Sequence, residues 1–93
     1  MKEPDHIREL ISEGNVDAAI SLLDELVRDD KATIAKDEAY YLLGNAYRKK
    51  SNWQLAMNNY QAAIDLNPDS PAVEARKMVT DILDFFYKDM YNQ

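Results

Sequence analysis

Apolar residues recur three and four positions apart along nearly the whole chain, and no stretch of any length alternates as a half-buried strand would. That spacing commits the polypeptide to α-helices, in which such residues return to one face. Interruptions are few, with 2 glycines and 3 prolines. Turn signals fall at Gly14-Asn15, in the polar run from Arg28 to Thr33, at Ser51-Asn52, and between Asn67 and Pro71. They predict five helices, near residues 4–13, 16–29, 34–50, 53–66 and 71–90. With every connection short, successive helices are expected to pack as antiparallel neighbours.

Local chemistry supports these boundaries. Asn15 and Asn52 stand where a side-chain oxygen can cap the first amides of a following helix. Asn67-Pro68 closes the fourth helix, because proline disfavours helical geometry in the residue before it. Ser70-Pro71 opens the fifth, serine as cap and proline at the first helical position.

A chain of 93 residues, 46% of them hydrophobic, suits one small domain with a single modest core (residues 1–93). It has no cysteine, so disulfides and thiolate metal sites are excluded. The amino-terminal run from Met1 to Leu10 is charged where a signal peptide is apolar, and no segment approaches the ~20 apolar residues of a membrane span. A soluble, cytoplasmic protein without a membrane partner is expected. The net charge of -6 argues against nucleic acid as a partner, since that contact relies on basic surface.

An internal repeat appears when the helix pairs are superposed. Gly14, Ala19 and Leu23 fall on Ser51, Ala56 and Tyr60 at a constant offset of 37 (56 minus 19). The spacing Tyr40-x2-Leu43-Gly44-x2-Tyr47, then Ala56-x3-Tyr60, then Pro68, resembles the tetratricopeptide repeat, a helix-turn-helix unit of about 34 residues. The excess of about three residues predicts a short insertion in the stretch from Arg28 to Lys36. The first helix lacks the aromatic and glycine positions, and the fifth regains the spacing at Ala75, Met78, Val79 and Ile82. The resemblance therefore implies an all-α, right-handed superhelical stack of antiparallel helix pairs. Residues 1–33 would form a degenerate first repeat, 34–69 a well-matched second, and 70–93 a capping helix. It also implies kinship with short free-standing bacterial members of the family.

Gly44 is expected on the core side of the third helix, where a missing side chain lets another helix approach. Ala56 and Ala63 would supply matching small surfaces, with Tyr40, Tyr47 and Tyr60 filling the space around them. An aromatic stripe at helical spacing reads as core rather than as a cofactor box.

No catalytic or metal-binding constellation is evident, and no cofactor is implied. His6, the sole histidine, lies between Asp5 and Glu9 without further ligands and reads as a surface residue. Phosphate-loop, nucleophile-elbow and zinc-protease signatures are all missing. Asp81 and Asp84, near Lys77 and Lys88, read as a solvated ion-pair face.

What remains is surface for binding, and a non-enzymatic protein or peptide interaction module is expected. The resemblance implies that the first helix of each pair lines a concave groove. On the third helix Tyr41, Asn45 and Arg48 share the non-core face, with Lys49 beside them. Tyrosine, amide and two cations suit an extended acidic peptide or a free carboxylate. Arg76 occupies a corresponding place on the fifth helix. The same face also reads as an ordinary solvated one that happens to be basic.

The carboxy-terminal helix offers a second surface. Ile82, Phe85, Phe86 and Met90 form one broad stripe on a helix about six residues longer than its predecessor, an overhang of ~9 Å. Either Phe85 and Phe86 fold back towards Trp53, or the stripe joins two copies of the chain as a homodimer, with exchange of this helix as one route.

Overall fold

The computed structural model describes the backbone of residues 3–91 and the side chains of residues 4–86. Five helices follow one another: α1 (Glu3–Ser12), α2 (Val16–Arg28), α3 (Lys36–Lys49), α4 (Trp53–Leu66) and α5 (Ala72–Tyr91). Each lies within two residues of the boundary expected from periodicity and turn chemistry.

The ends of α1 and α3 show why Gly14 and Ser51 are equivalent. After α1, Asn15 N–H donates to Leu10 O at 2.8 Å and Gly14 N–H to Ile11 O at 3.1 Å. After α3, Asn52 N–H donates to Tyr47 O and Ser51 N–H to Arg48 O, both at 2.9 Å. These are two copies of one C-terminal cap, built on a residue with positive φ, Gly14 at 90° and Ser51 at 61°.

The helices that follow are capped differently. Asn52 Oδ1 accepts from Leu55 N–H at 3.2 Å, as expected. Asn15 makes no side-chain cap bond, which corrects the expectation for α2. Ser70, only 4% exposed, accepts from Ala72 N–H through its Oγ at 3.0 Å and starts α5.

Packing places α1, α3 and α5 side by side, while α2 and α4 flank them and do not touch each other. The result is a helical repeat stack of antiparallel pairs with an inner layer of three helices. Its core has two parts joined through α3. Ile7, Ala19, Leu23, Ile34, Ala39, Leu42 and Leu43 fill the first. The second holds Ala56, Tyr60, Ala63, Ala72, Ala75 and Val79. Tyr40, Tyr41 and Tyr47 pack against both.

Gly44 is buried and marks a close approach of α3 to α4. The atoms nearest to it are not those of Ala56 or Ala63 but the ring of Tyr60. A Cβ at position 44 would overlap Tyr60 Cδ1 and Cε1 and lie 3.0 Å from Cγ. The glycine is thus a seat for an aromatic ring, and burial of that ring offsets the roughly 1 kcal/mol that glycine costs a helix relative to alanine.

Three polar contacts tie the layers together. Lys50 Nζ meets Asp17 Oδ1 at 2.6 Å, joining the end of α3 to the start of α2. Hydrogen bonding to Asp17, reinforced by its charge, raises the Lys50 pKa. Asn67 Nδ2 donates to Asp37 Oδ2 at 3.0 Å, joining the end of α4 to the start of α3. Arg8 Nη2 meets Glu38 Oε2 at 2.6 Å and so links α1 to α3.

Candidate functional site

Between α1 and α3 lies an open cleft of about 430 Å³, lined by Arg8, Ile11, Ser12, Tyr41, Leu42, Asn45, Arg48 and Lys49. Four of the residues singled out in the sequence, Tyr41, Asn45, Arg48 and Lys49, come together here because i, i+4, i+7 and i+8 share one side of α3. Arg76 stands on α5, half-buried, and does not line this cleft. Its Nε is buried and has no hydrogen-bond partner.

Tyr60 reaches this site from behind. Its ring passes over Gly44, lies 6.1 Å from the Tyr41 ring, and places its hydroxyl as donor to Asn45 Oδ1. Burial pushes the Tyr60 phenol up to about 12, against the lowering influence of nearby Arg48. The hydroxyl therefore keeps its proton at neutral pH and holds the Asn45 carbonyl oxygen. What remains for a ligand is the Asn45 Nδ2 group, a pure donor.

The charges lining the cleft are unequal. Arg8 is engaged by Glu38 at 2.6 Å and by Asp5 at 3.3 Å. Among the described residues neither Arg48 nor Lys49 forms an ion pair, the cations so engaged being Arg8, Lys36 and Lys50. Arg8 and Tyr41 also border a second hollow of about 250 Å³ that includes Asp37, Glu38, Ser70 and Pro71.

Arg8, Ile11 and Ser12 are site residues with no mark in the sequence. The first helix lacks the repeat's signature, so its rotation against α3 is settled only by burial of Ile7 in the core. Leu42, 1% exposed, lines the cleft and belongs to the core as well.

The stripe on α5 is placed differently from one of its two expectations. Phe85 and Phe86 do not fold back towards Trp53. They are 79% and 69% exposed and meet each other edge to face, ring centroids 5.0 Å apart. In an antiparallel pair Phe85 comes level with Trp53, the first residue of α4, and Met78, further in on the same stripe, is also 53% exposed, so the stripe is uncovered alongside α4 as well as at its end. The side chain of Met90, expected on the same stripe, lies outside the described residues.

No described helix is long and apolar enough to cross a membrane. Among the described residues, no group of three or more His, Cys, Asp or Glu side chains is gathered as a metal ion requires.

Among curated proteins none matches the chain. The solution NMR structure of the Bacteroides fragilis protein BF1650 is similar, with a TM-score of 0.88 and 57% identity over all of this chain and 92% of that one. A family model for the tetratricopeptide repeat matches residues 37–70, the segment from the first turn of α3 through α4 to Ser70. With the repeat signature, its position on α3 and α4, and a relative of this likeness over the full length, the chain belongs to the tetratricopeptide repeat family.

Proposed function

We propose that this chain is a non-enzymatic protein interaction module whose inner cleft receives an extended acidic segment, or the terminal carboxylate, of a partner protein. Membership of the family supports the general reading, since its repeats mediate contacts between proteins. One observation supports the specific one. In a chain of net charge -6, Arg48 and Lys49 stand at the cleft without a carboxylate partner among the described residues. An unpaired guanidinium can offer two parallel donors to a carboxylate. Asn45 Nδ2 can then donate to a backbone carbonyl, and Tyr41 can cover apolar atoms. Arg76 would extend the contact towards α5.

Direct titration tests this. Fluorescein-labelled peptides with acidic residues and a free carboxyl terminus are expected to bind the chain, and their amidated, neutral counterparts to bind at least tenfold more weakly. The variant Asn45→Ala/Arg48→Glu/Lys49→Glu, matched for helicity, is expected to lose binding. Equal affinity for both peptide classes, or an unaffected variant, would exclude the cleft as a carboxylate site.

A second reading is favoured by a separate observation. Phe85 and Phe86 expose most of their surface on α5, and a self-associating chain, a homodimer through this helix, is what such a patch supports.

A further inference from the structure

The exposed apolar surface of α5 has a pattern as well as an extent. Taking about 100° per residue, Met78, Ile82, Phe85 and Phe86 fall within an arc of roughly 100°. Glu74, Lys77, Asp81 and Asp84 occupy the adjoining flank; on the other side Val79 and Ala72 border the arc, and Ala75, one turn before Met78, falls within it, all three packed against α4. No charge interrupts the stripe between positions 78 and 86. Met78 is 53% exposed, Ile82 is half-buried, and the two phenylalanines are the most exposed large apolar residues described.

Among the described side chains the stripe is symmetric about Ile82 at Met78 and Phe86, while Phe85 falls opposite Val79, which is 0% exposed. Positions 78 and 86 lie four residues either side of Ile82, about 6 Å along the axis in each direction. In a twofold contact, residue i of one copy meets residue j of the other and the reverse. With the axis at Ile82, antiparallel helices bring together positions whose numbers sum to 164, and 78 and 86 are such a pair. Resting on the self-association reading above, we propose that α5 pairs antiparallel with α5 of a second copy of this chain about a twofold axis at Ile82, Met78 of each meeting the partner's Phe86.

Area and geometry select this occupant. Phenylalanine side chains present about 150–250 Å², so the two rings at their observed exposure leave on the order of 300 Å² uncovered. With Met78 and Ile82 the stripe amounts to roughly 450 Å² a chain, or about 900 Å² across two copies. Specific interfaces begin near 1,200 Å² in total. The stripe therefore falls short of a standard interface, which places the dimer at the small, weak end. The antiparallel arrangement covers more than a parallel one. It lays the overhanging end of each helix along the partner's Met78 region, where α4 adds surface, whereas parallel overhangs would cover only each other. Thioether against aromatic ring is also a favourable contact.

The chain has no cysteine, so engineered thiols report the register without interference. Sedimentation of the unaltered chain from about 10 μM to about 1 mM is expected to show the mass rising from 10.7 kDa towards twice that value. Under mild oxidation Ile82→Cys is expected to form a disulfide with itself. Met78→Cys and Phe86→Cys are expected to remain single when oxidised alone and to join when mixed. Phe85→Glu/Phe86→Glu, with unchanged helicity and thermal midpoint, is expected to stay monomeric.

A strict monomer across the range overturns the self-association reading and this proposal with it. A dimer in which Met78→Cys and Phe86→Cys each link to themselves, and do not join when mixed, overturns only the antiparallel register. A dimer untouched by the double glutamate substitution moves the contact off α5 and overturns both.

Discussion

Replacing Gly44 with alanine sets two effects of opposite sign against each other. Alanine is the better helix former, by roughly 1 kcal/mol in a helix interior. If α3 were an isolated helix, the substitution would stabilise it by that amount. Here the new Cβ overlaps Tyr60 Cδ1 and Cε1 and sits 3.0 Å from Cγ. Ordinary carbon contacts lie at about 3.5–4.0 Å, so the ring has to retreat on the order of 1 Å. It has little room, being 0% exposed, packed beside Tyr41 and bonded through its hydroxyl to Asn45. Overpacking of this kind costs about 1–3 kcal/mol, and displacing the hydroxyl adds about 1 kcal/mol. The balance is a net loss of roughly 1–3 kcal/mol, a fall of about 5–15 °C in thermal midpoint for a domain of this size. Thermal unfolding followed by circular dichroism measures it. Combining Gly44→Ala with Tyr60→Leu should recover part of the loss relative to the sum of the two single changes, because the contact is a matter of shape. A Gly44→Ala protein as stable as the original, or more so, would refute the seat for Tyr60 and leave helix propensity as the governing term.

Other consequences follow from the caps and from Tyr60. Asn52→Ala should lower stability by about 1 kcal/mol through loss of the bond from Leu55 N–H, whereas Asn15→Ala should change it little, since Asn15 makes no such bond. Urea unfolding of the two variants side by side separates the cases, and equal losses would contradict the difference in capping. Ser51→Gly should raise the midpoint, because glycine holds φ 61° without the cost of a Cβ; a lowered midpoint would refute that account of the α3 cap. Tyr60 also predicts alkaline sensitivity. Its phenol is neutral in both states below pH 10, but above that value the unfolded chain loses its proton while the folded one retains it until about pH 12. Stability should therefore decline across that window, by roughly 1–2 kcal/mol after allowing for solvent near the hydroxyl. Tyr60→Phe should flatten this dependence, and an identical decline in that variant would assign it to other groups.

The chain's local interactions were enough to locate every helix. Spacings of three and four, the proline before α5 and the asparagine before α4 act within a few residues of themselves, so their effects can be read in order along the polypeptide. The repeat was legible for the same reason: Gly14 and Ser51 occupy equivalent cap positions, and each cap is completed by backbone groups no more than five residues away. Four of the five expected groove residues gather at one cleft because they share a side of α3, a matter of helical geometry alone.

Tertiary structure decided whatever depends on the register between helices. Arg8 enters the cleft and pairs with Glu38, 30 residues away, because burying Ile7 fixes the rotation of α1. Tyr60 reads in sequence as one more core aromatic, yet across the gap left by Gly44 its hydroxyl orients Asn45 at the surface. Phe85 and Phe86 are as apolar as any core residue and stay uncovered because no described helix packs over the part of α5 that carries them. In each case the deciding contact joins segments far apart in the chain. Periodicity records which face of a helix is apolar, but not where along a neighbouring helix that face will come to rest.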